Sequence, residues 1–191
     1  GSALTGARAT SPMGAGPGRP SVVIASPAAN APAAADGGAG GGGGEGGGPG
    51  LTVQGLPIAK PPYGSISAIS LDKGEILWQI AHGDTPDGVR NHPALKGLTI
   101  PRTGQAGIIG TLVTKTLIIA GEAQPTTAGH ARGALLRAYD KATGRDAGSV
   151  LMPAQQTGSP MTYMLNGKQY IVLAVGGGNY PAELIAFRLP G

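Results

Sequence analysis

Residues 68–78 read Ala-Ile-Ser-Leu-Asp-Lys-Gly-Glu-Ile-Leu-Trp, and residues 138–148 read Ala-Tyr-Asp-Lys-Ala-Thr-Gly-Arg-Asp-Ala-Gly. Each follows a strand-like approach, Ile66-Ser67-Ala68-Ile69 in the first and Leu136-Arg137-Ala138-Tyr139 in the second. A third approach, Leu184-Ile185-Ala186-Phe187, leads only into Arg188-Leu189-Pro190-Gly191. A unit that recurs every few tens of residues and stops midway predicts a β-propeller whose last blade is completed by a strand from elsewhere. It also predicts that the chain is part of something larger.

The repeat makes physical sense as a blade corner. Its small first residue, Ala68 or Ala138, lets the strand lie close to its neighbour. The third residue, Ser70 or Asp140, is placed to accept hydrogen bonds from turn amides. The seventh, Gly74 or Gly144, suits a positive φ that other residues resist. The eleventh in the first copy, Trp78, is large enough to wedge against an adjacent blade, whereas the second copy has Gly148 there.

Working outward, short apolar runs alternate with turn signals from Leu51 onward, the texture of an all-β protein. The expected strands are 65–70, 76–81, 110–113, 117–120, 134–139, 147–152, 160–165, 169–175 and 184–189. Tight turns are expected at Asp72-Lys73-Gly74, Ala142-Thr143-Gly144 and Asn166-Gly167-Lys168; Asn-Gly is the strongest short hairpin signal. Four connections look long: 83–109, 121–132, 153–159 and 176–183. Long loops at one end of a rigid scaffold are where binding and chemistry concentrate. No stretch sustains a 3.6-residue apolar period, so almost no helix is expected.

Residues 1–50 differ in kind. They hold 16 of the 36 glycines and no aromatic residue. The run 40–48 cannot pack a core, and ordering it would cost much backbone entropy. We expect a disordered, low-complexity segment over 1–50, with one candidate strand at 20–27, and propeller blades over 51–191.

Bulk properties exclude several classes. The net charge of +4 comes from scattered basic residues, without the clustered basic face that nucleic-acid binding requires. No apolar stretch reaches the roughly 20 residues of a membrane helix. The absence of cysteine removes disulfide and thiolate chemistry and fits either redox compartment.

The segments Pro62-Tyr63-Gly64-Ser65-Ile66-Ser67-Ala68-Ile69, Leu136-Arg137-Ala138-Tyr139-Asp140-Lys141-Ala142-Thr143-Gly144, Gly158-Ser159-Pro160-Met161-Thr162-Tyr163 and Asn166-Gly167-Lys168-Gln169-Tyr170-Ile171-Val172 carry a resemblance. With them, residues 51–190 resemble the C-terminal part of pyrroloquinoline-quinone (PQQ)-dependent dehydrogenases of the membrane-bound glucose dehydrogenase type. The resemblance implies an all-β fold: about two and a half blades of an eight-bladed propeller of four-stranded antiparallel sheets. The repeat then looks like the family's tryptophan-docking motif. The cofactors implied are PQQ and Ca²⁺, with the general base and most metal ligands upstream of Gly1. No catalytic or metal-binding residue is therefore expected within this chain.

What the resemblance assigns to the chain is part of the cofactor rim. Gly176, Gly177, Gly178, Asn179 and Tyr180 match a cofactor-proximal loop. Here the chain lacks the His of membrane sugar dehydrogenases and the Trp of methanol-type enzymes. Ile108, Gly110 and Thr111 match the place where alcohol dehydrogenases set a Trp against the quinone, with Ile108 a smaller surface. The implied partners are a sugar or alcohol substrate, ubiquinone or a cytochrome as acceptor, and the remaining blades. The implied location is the periplasm, with any inner-membrane anchor in upstream segments. On this reading the piece is itself inactive, and its exposed sheet edges invite pairing with other chains.

Other readings are weaker. His82, His92 and His130 lack metal-ligand spacing. His92 shares loop 83–109 with Asp84, Asp87, Arg90 and Arg102, either as a substrate-facing cluster or as a solvated loop. Asp84 and Asp87 fix no geometry for a hydrolase pair, and Ser159 has no nucleophile elbow. The glycine run lacks a Walker ending. Gly176-Gly177-Gly178 serves either a tight inter-strand loop or a flat cofactor. The alternative function is a non-catalytic scaffold propeller.

Overall fold

A computed structural model describes residues 51–188. The low-complexity segment 1–50 expected to be disordered, with its candidate strand at 20–27, lies outside the described residues. The elements run β1 (Thr52–Val53), β2 (Leu56–Pro57), β3 (Ser65–Ser70), β4 (Glu75–Ala81), α1 (Asp87–Arg90), a 3₁₀ turn (Pro93–Leu95), β5 (Leu112–Val113), β6 (Leu117–Gly121), β7 (Ala134–Asp140), β8 (Asp146–Met152), β9 (Met161–Leu165), β10 (Lys168–Gly177) and β11 (Tyr180–Arg188). All pairings are antiparallel. The expected strands are present, and the expectation missed only the small hairpin β1–β2.

The sheets follow chain order, as blades do. β3 and β4 form one pair, β5-β6-β7-β8 a four-stranded sheet, and β9-β10-β11 a three-stranded sheet. Strand β7 shows how they stack. Ala134, Leu136 and Ala138 point to one face and pack with Ile171, Leu173, Val175, Ile185 and Phe187 of the three-stranded sheet. Arg137 and Tyr139 point the other way, to partners in or just after β4. Burial of each large aliphatic side chain in this core contributes roughly 1.5–3 kcal/mol.

The repeat is a true structural repeat. The ladder slips by one residue after Ala68 and again after Ala138, an identical irregularity in both copies. Gly74 and Gly144 take φ of 69° and 71°, and each returns its N–H to the residue-three carbonyl, Ser70 or Asp140. The Asp140 carboxylate accepts from the Ala142 and Thr143 amides. Residues 184–187, the third approach, lie within β11 and pair with β10. Asn166 and Gly167 both have positive φ and close β9 onto β10, the geometry an Asn-Gly hairpin predicts.

One connection differs from expectation. Residues 176–183 form no long loop. Gly177 pairs with Tyr180, leaving a two-residue turn, and both strands continue through the segment. Backbone pairing extends to the tip because Gly177 pairs with Tyr180, while Gly176 lies at the register shift between the Val175 and Gly177 pairs, where a loop was expected.

Candidate functional site

The strand registers place the β4–β5, β6–β7 and β8–β9 connections and the β10–β11 turn at one end of the sheets. Ala81 lies opposite Ser65, Gly121 opposite Leu136, Met152 opposite Ala134, and Gly177 opposite Tyr180. The turns after β3, β5, β7 and β9 lie at the opposite end. All eight residues assigned to a cofactor rim fall at the first end.

The β8–β9 connection draws the two halves of that group together. Gln156 Nε2 donates to the Gly110 carbonyl at 2.8 Å. The Gly176 N–H donates to the Gln155 carbonyl at 3.0 Å, and the Gln155 side chain covers Gly177. Adjacent residues of one segment therefore hold Gly110 and Gly176. Ile108 and Thr111 are exposed, Ile108 at 73%. Gly177, Gly178 and Asn179 are exposed, and a Cβ on Gly178 would meet nothing within 4 Å. The half-buried Tyr180 hydroxyl donates to Glu183.

Behind this rim lies a buried charge network that sequence reasoning missed. Glu122, directly after β6, is wholly buried. Its Oε1 accepts from Arg137 Nε at 2.9 Å and from the Asp84 N–H at 2.9 Å, and its Oε2 accepts from the Leu135 N–H at 3.1 Å. Arg137 Nη2 bridges Asp84 and Glu122. Burial alone would lower the Arg137 pKa, but the two carboxylates outweigh it and hold it above its ordinary value. An Arg in the apolar run Ala-Leu-Leu-Arg-Ala-Tyr was the available signal, because such a charge requires a buried partner.

His82 and Tyr139 form a second buried contact, also unread in the sequence. His82 Nε2 lies 3.0 Å from the Gly121 carbonyl, which can only accept, so Nε2 carries the proton. Neutral Nδ1 then accepts from the Tyr139 hydroxyl at 2.9 Å. Burial pushes the His82 pKa below 6.5 and the Tyr139 pKa up to about 12.

The polar residues of the β4–β5 connection do not converge as a substrate-facing cluster. Asp84 joins Arg137, while Asp87 pairs with Arg90 and accepts from Thr127. His92 bonds the Gln54 carbonyl and the Ala94 amide, and Arg102 reaches Asp146 at 2.8 Å. Each group has its own structural partner. Among the described residues no three His, Cys, Asp or Glu side chains group to hold a metal ion, and no helix is long and apolar enough to cross a membrane.

A propeller stack with long connections gathered at one end defines a class to which known sequences can be compared. The family model for the β-propeller domain of PQQ-dependent glucose/ethanol/alcohol dehydrogenases matches residues 43–171. The chain belongs to this family. It is 34% identical over 152 residues to the "Probable quinate dehydrogenase (quinone)" of Xanthomonas campestris pv. juglandis, covering 73% of this chain and 17% of that protein. It is 32% identical over 151 residues to the "Quinoprotein glucose dehydrogenase" of Escherichia coli (strain K12), covering 74% and 17%. The chain thus spans about a sixth of the length of these relatives. Among solved structures it is similar to quinohemoprotein alcohol dehydrogenase ADHIIG from Pseudomonas putida HK5, at TM-score 0.43 and 18% identity, covering 65% of this chain and 16% of that one.

Proposed function

We propose that this chain supplies blades and part of the cofactor rim to a quinoprotein dehydrogenase. The enzyme oxidises a sugar, polyol or other alcohol in the periplasm and passes the electrons to ubiquinone or a cytochrome. The observation that carries this reading is the family match across residues 43–171. It includes Ile108, Gly110 and Thr111 at the loop end of the sheets.

The residues present suit one part of PQQ, which is a flat tricyclic quinone bearing three carboxylates. Ile108 offers an exposed apolar surface, and Gly178 offers backbone with no side chain in the way. Thr111, Asn179 and the N–H groups of the turn supply neutral hydrogen-bonding groups. None of the eight rim residues is cationic, so the cofactor's carboxylates and a Ca²⁺ ion are held from other residues, as is the general base. When bound, PQQ takes two electrons from the alcohol carbon. The role of this chain is to position one face and edge of the cofactor and to exclude water there. Trp78 Nε1 donates to the Lys141 carbonyl of the neighbouring sheet at 3.1 Å, and on the same reading this is the family's tryptophan-docking contact.

The test is alcohol- and sugar-dependent dye reduction by the whole protein, with and without PQQ and Ca²⁺. Turnover that requires both supports the reading and names the substrate. A folded protein that binds no PQQ and reduces no dye is the scaffold alternative.

A further inference from the structure

The side chain of Gln156 has no ordinary reason to be buried. It is 6% exposed and belongs to a connection, where a long amide normally faces water. Its Nε2 donates to the Gly110 carbonyl at 2.8 Å, and its Oε1 accepts from the Gly121 N–H at 2.7 Å. Its main-chain N–H donates to the Glu122 carbonyl at 3.1 Å, and its backbone bridges to Val175, one residue before Gly176. One residue thus joins three segments: the entry to β5, the end of β6 and the end of β10.

We propose that Gln156 is a positioning residue that sets the spacing between the two cofactor-facing segments, Ile108–Thr111 and Gly176–Tyr180. The inference rests on the reading of those segments given above. The chemistry is specific to glutamine. Glu keeps the acceptor for Gly121 but loses the donor for Gly110, Met reaches equally far with neither, and Asn is one methylene short. Ser159 packs close against Gly110, where a Cβ would lie 2.1 Å from its Oγ. Once the Gly110 carbonyl loses its donor, the peptide reorients, and Ile108 and Thr111 move with it.

The test is a titration of PQQ, with Ca²⁺, into the wild-type whole protein and into its Gln156→Glu and Gln156→Met variants. Binding is followed by the absorbance of the bound quinone, at a temperature where circular dichroism shows each variant folded. Wild type binds. Gln156→Glu binds on the order of tenfold more weakly at neutral pH, the effect of one buried hydrogen bond. Its deficit relative to wild type shrinks in acid, where the protonated carboxyl donates to Gly110 again. Gln156→Met is weaker throughout and shows no acid recovery. It carries no buried charge, so it stands if the Glu variant fails to fold. Folded variants that bind PQQ as wild type does would overturn the role of Gln156 and leave the rim reading intact. A wild-type protein that binds no PQQ would overturn both.

Discussion

The indole of Trp78 lies against Gly144 of the next sheet, and its Nε1 donates to the Lys141 carbonyl at 3.1 Å. The seventh residue of one repeat is thus the floor for the eleventh residue of the repeat before it. A Cβ on Gly144 would lie 2.8 Å from the indole, at a φ of 71° that disfavours side chains. Gly144→Ala is therefore expected to cost about 1–3 kcal/mol. Trp78→Ala is expected to cost roughly 2–4 kcal/mol, less than a fully buried Trp because the ring is half-exposed. Urea denaturation measures both. If either variant equals wild type, this contact does not hold the sheets together.

Glu122 and Arg137 are buried as partners, so removing one strands the other. Arg137→Met leaves a carboxylate without its counter-charge and is expected to cost about 3–5 kcal/mol. The Glu122→Gln/Arg137→Met double variant should be destabilised by clearly less than the sum of the single changes. Additive losses in a double-mutant cycle would show that the two side chains act independently.

His82 makes stability depend on pH. Burial keeps it neutral in the folded state, while the unfolded chain takes up a proton as pH falls through about 6.5. Below that pH the unfolded state binds more protons, so stability falls on acidification until folded His82 also protonates. The melting temperature of His82→Gln should accordingly fall less steeply than that of wild type between about pH 7 and pH 5. Parallel slopes would remove His82 from the account. Tyr139 acts at the other extreme. Its pKa of about 12 means that stability declines above about pH 10, where only the unfolded tyrosine ionises.

The face of the three-stranded sheet turned away from the core carries Met161, Tyr163, Leu165 and Leu184, all exposed. Tyr163 stacks on Tyr170 with ring centroids 5.2 Å apart. Among the described residues, β11 pairs only with β10, leaving its other edge open. Residues 51–188 prepared by themselves are expected to self-associate through this face and edge. Leu165→Lys should lower the apparent mass in sedimentation. A monomeric wild-type preparation with a sharp melt would contradict the expectation.

The sheet scaffold was legible because its signals are local. Alternation, the Asn-Gly turn and the glycine at repeat position seven each act within a few residues, and strands 65–70 and 134–140 emerged within one residue of their expected ends. The buried network was not legible, because Glu122, Arg137 and Asp84 are brought together by blade stacking across tens of residues. Asp84 looked like a loop acid and Glu122 like a connection residue until β7 aimed Arg137 at both. The glycines at 176–178 misled for the opposite reason: turn-forming residues suggest a long loop, although Gly177 pairs in the ladder and Gly178 belongs to a two-residue turn.

The Asn166–Gly167 turn stands at the end of the sheets opposite every long connection, exposed, with its backbone geometry satisfied by two residues alone. That makes it a place to open the chain. A fluorescent reporter spliced between β9 and β10 would leave the Gln156 and Glu122 contacts undisturbed. The loop end of the sheets could then be observed from a tag attached well away from it.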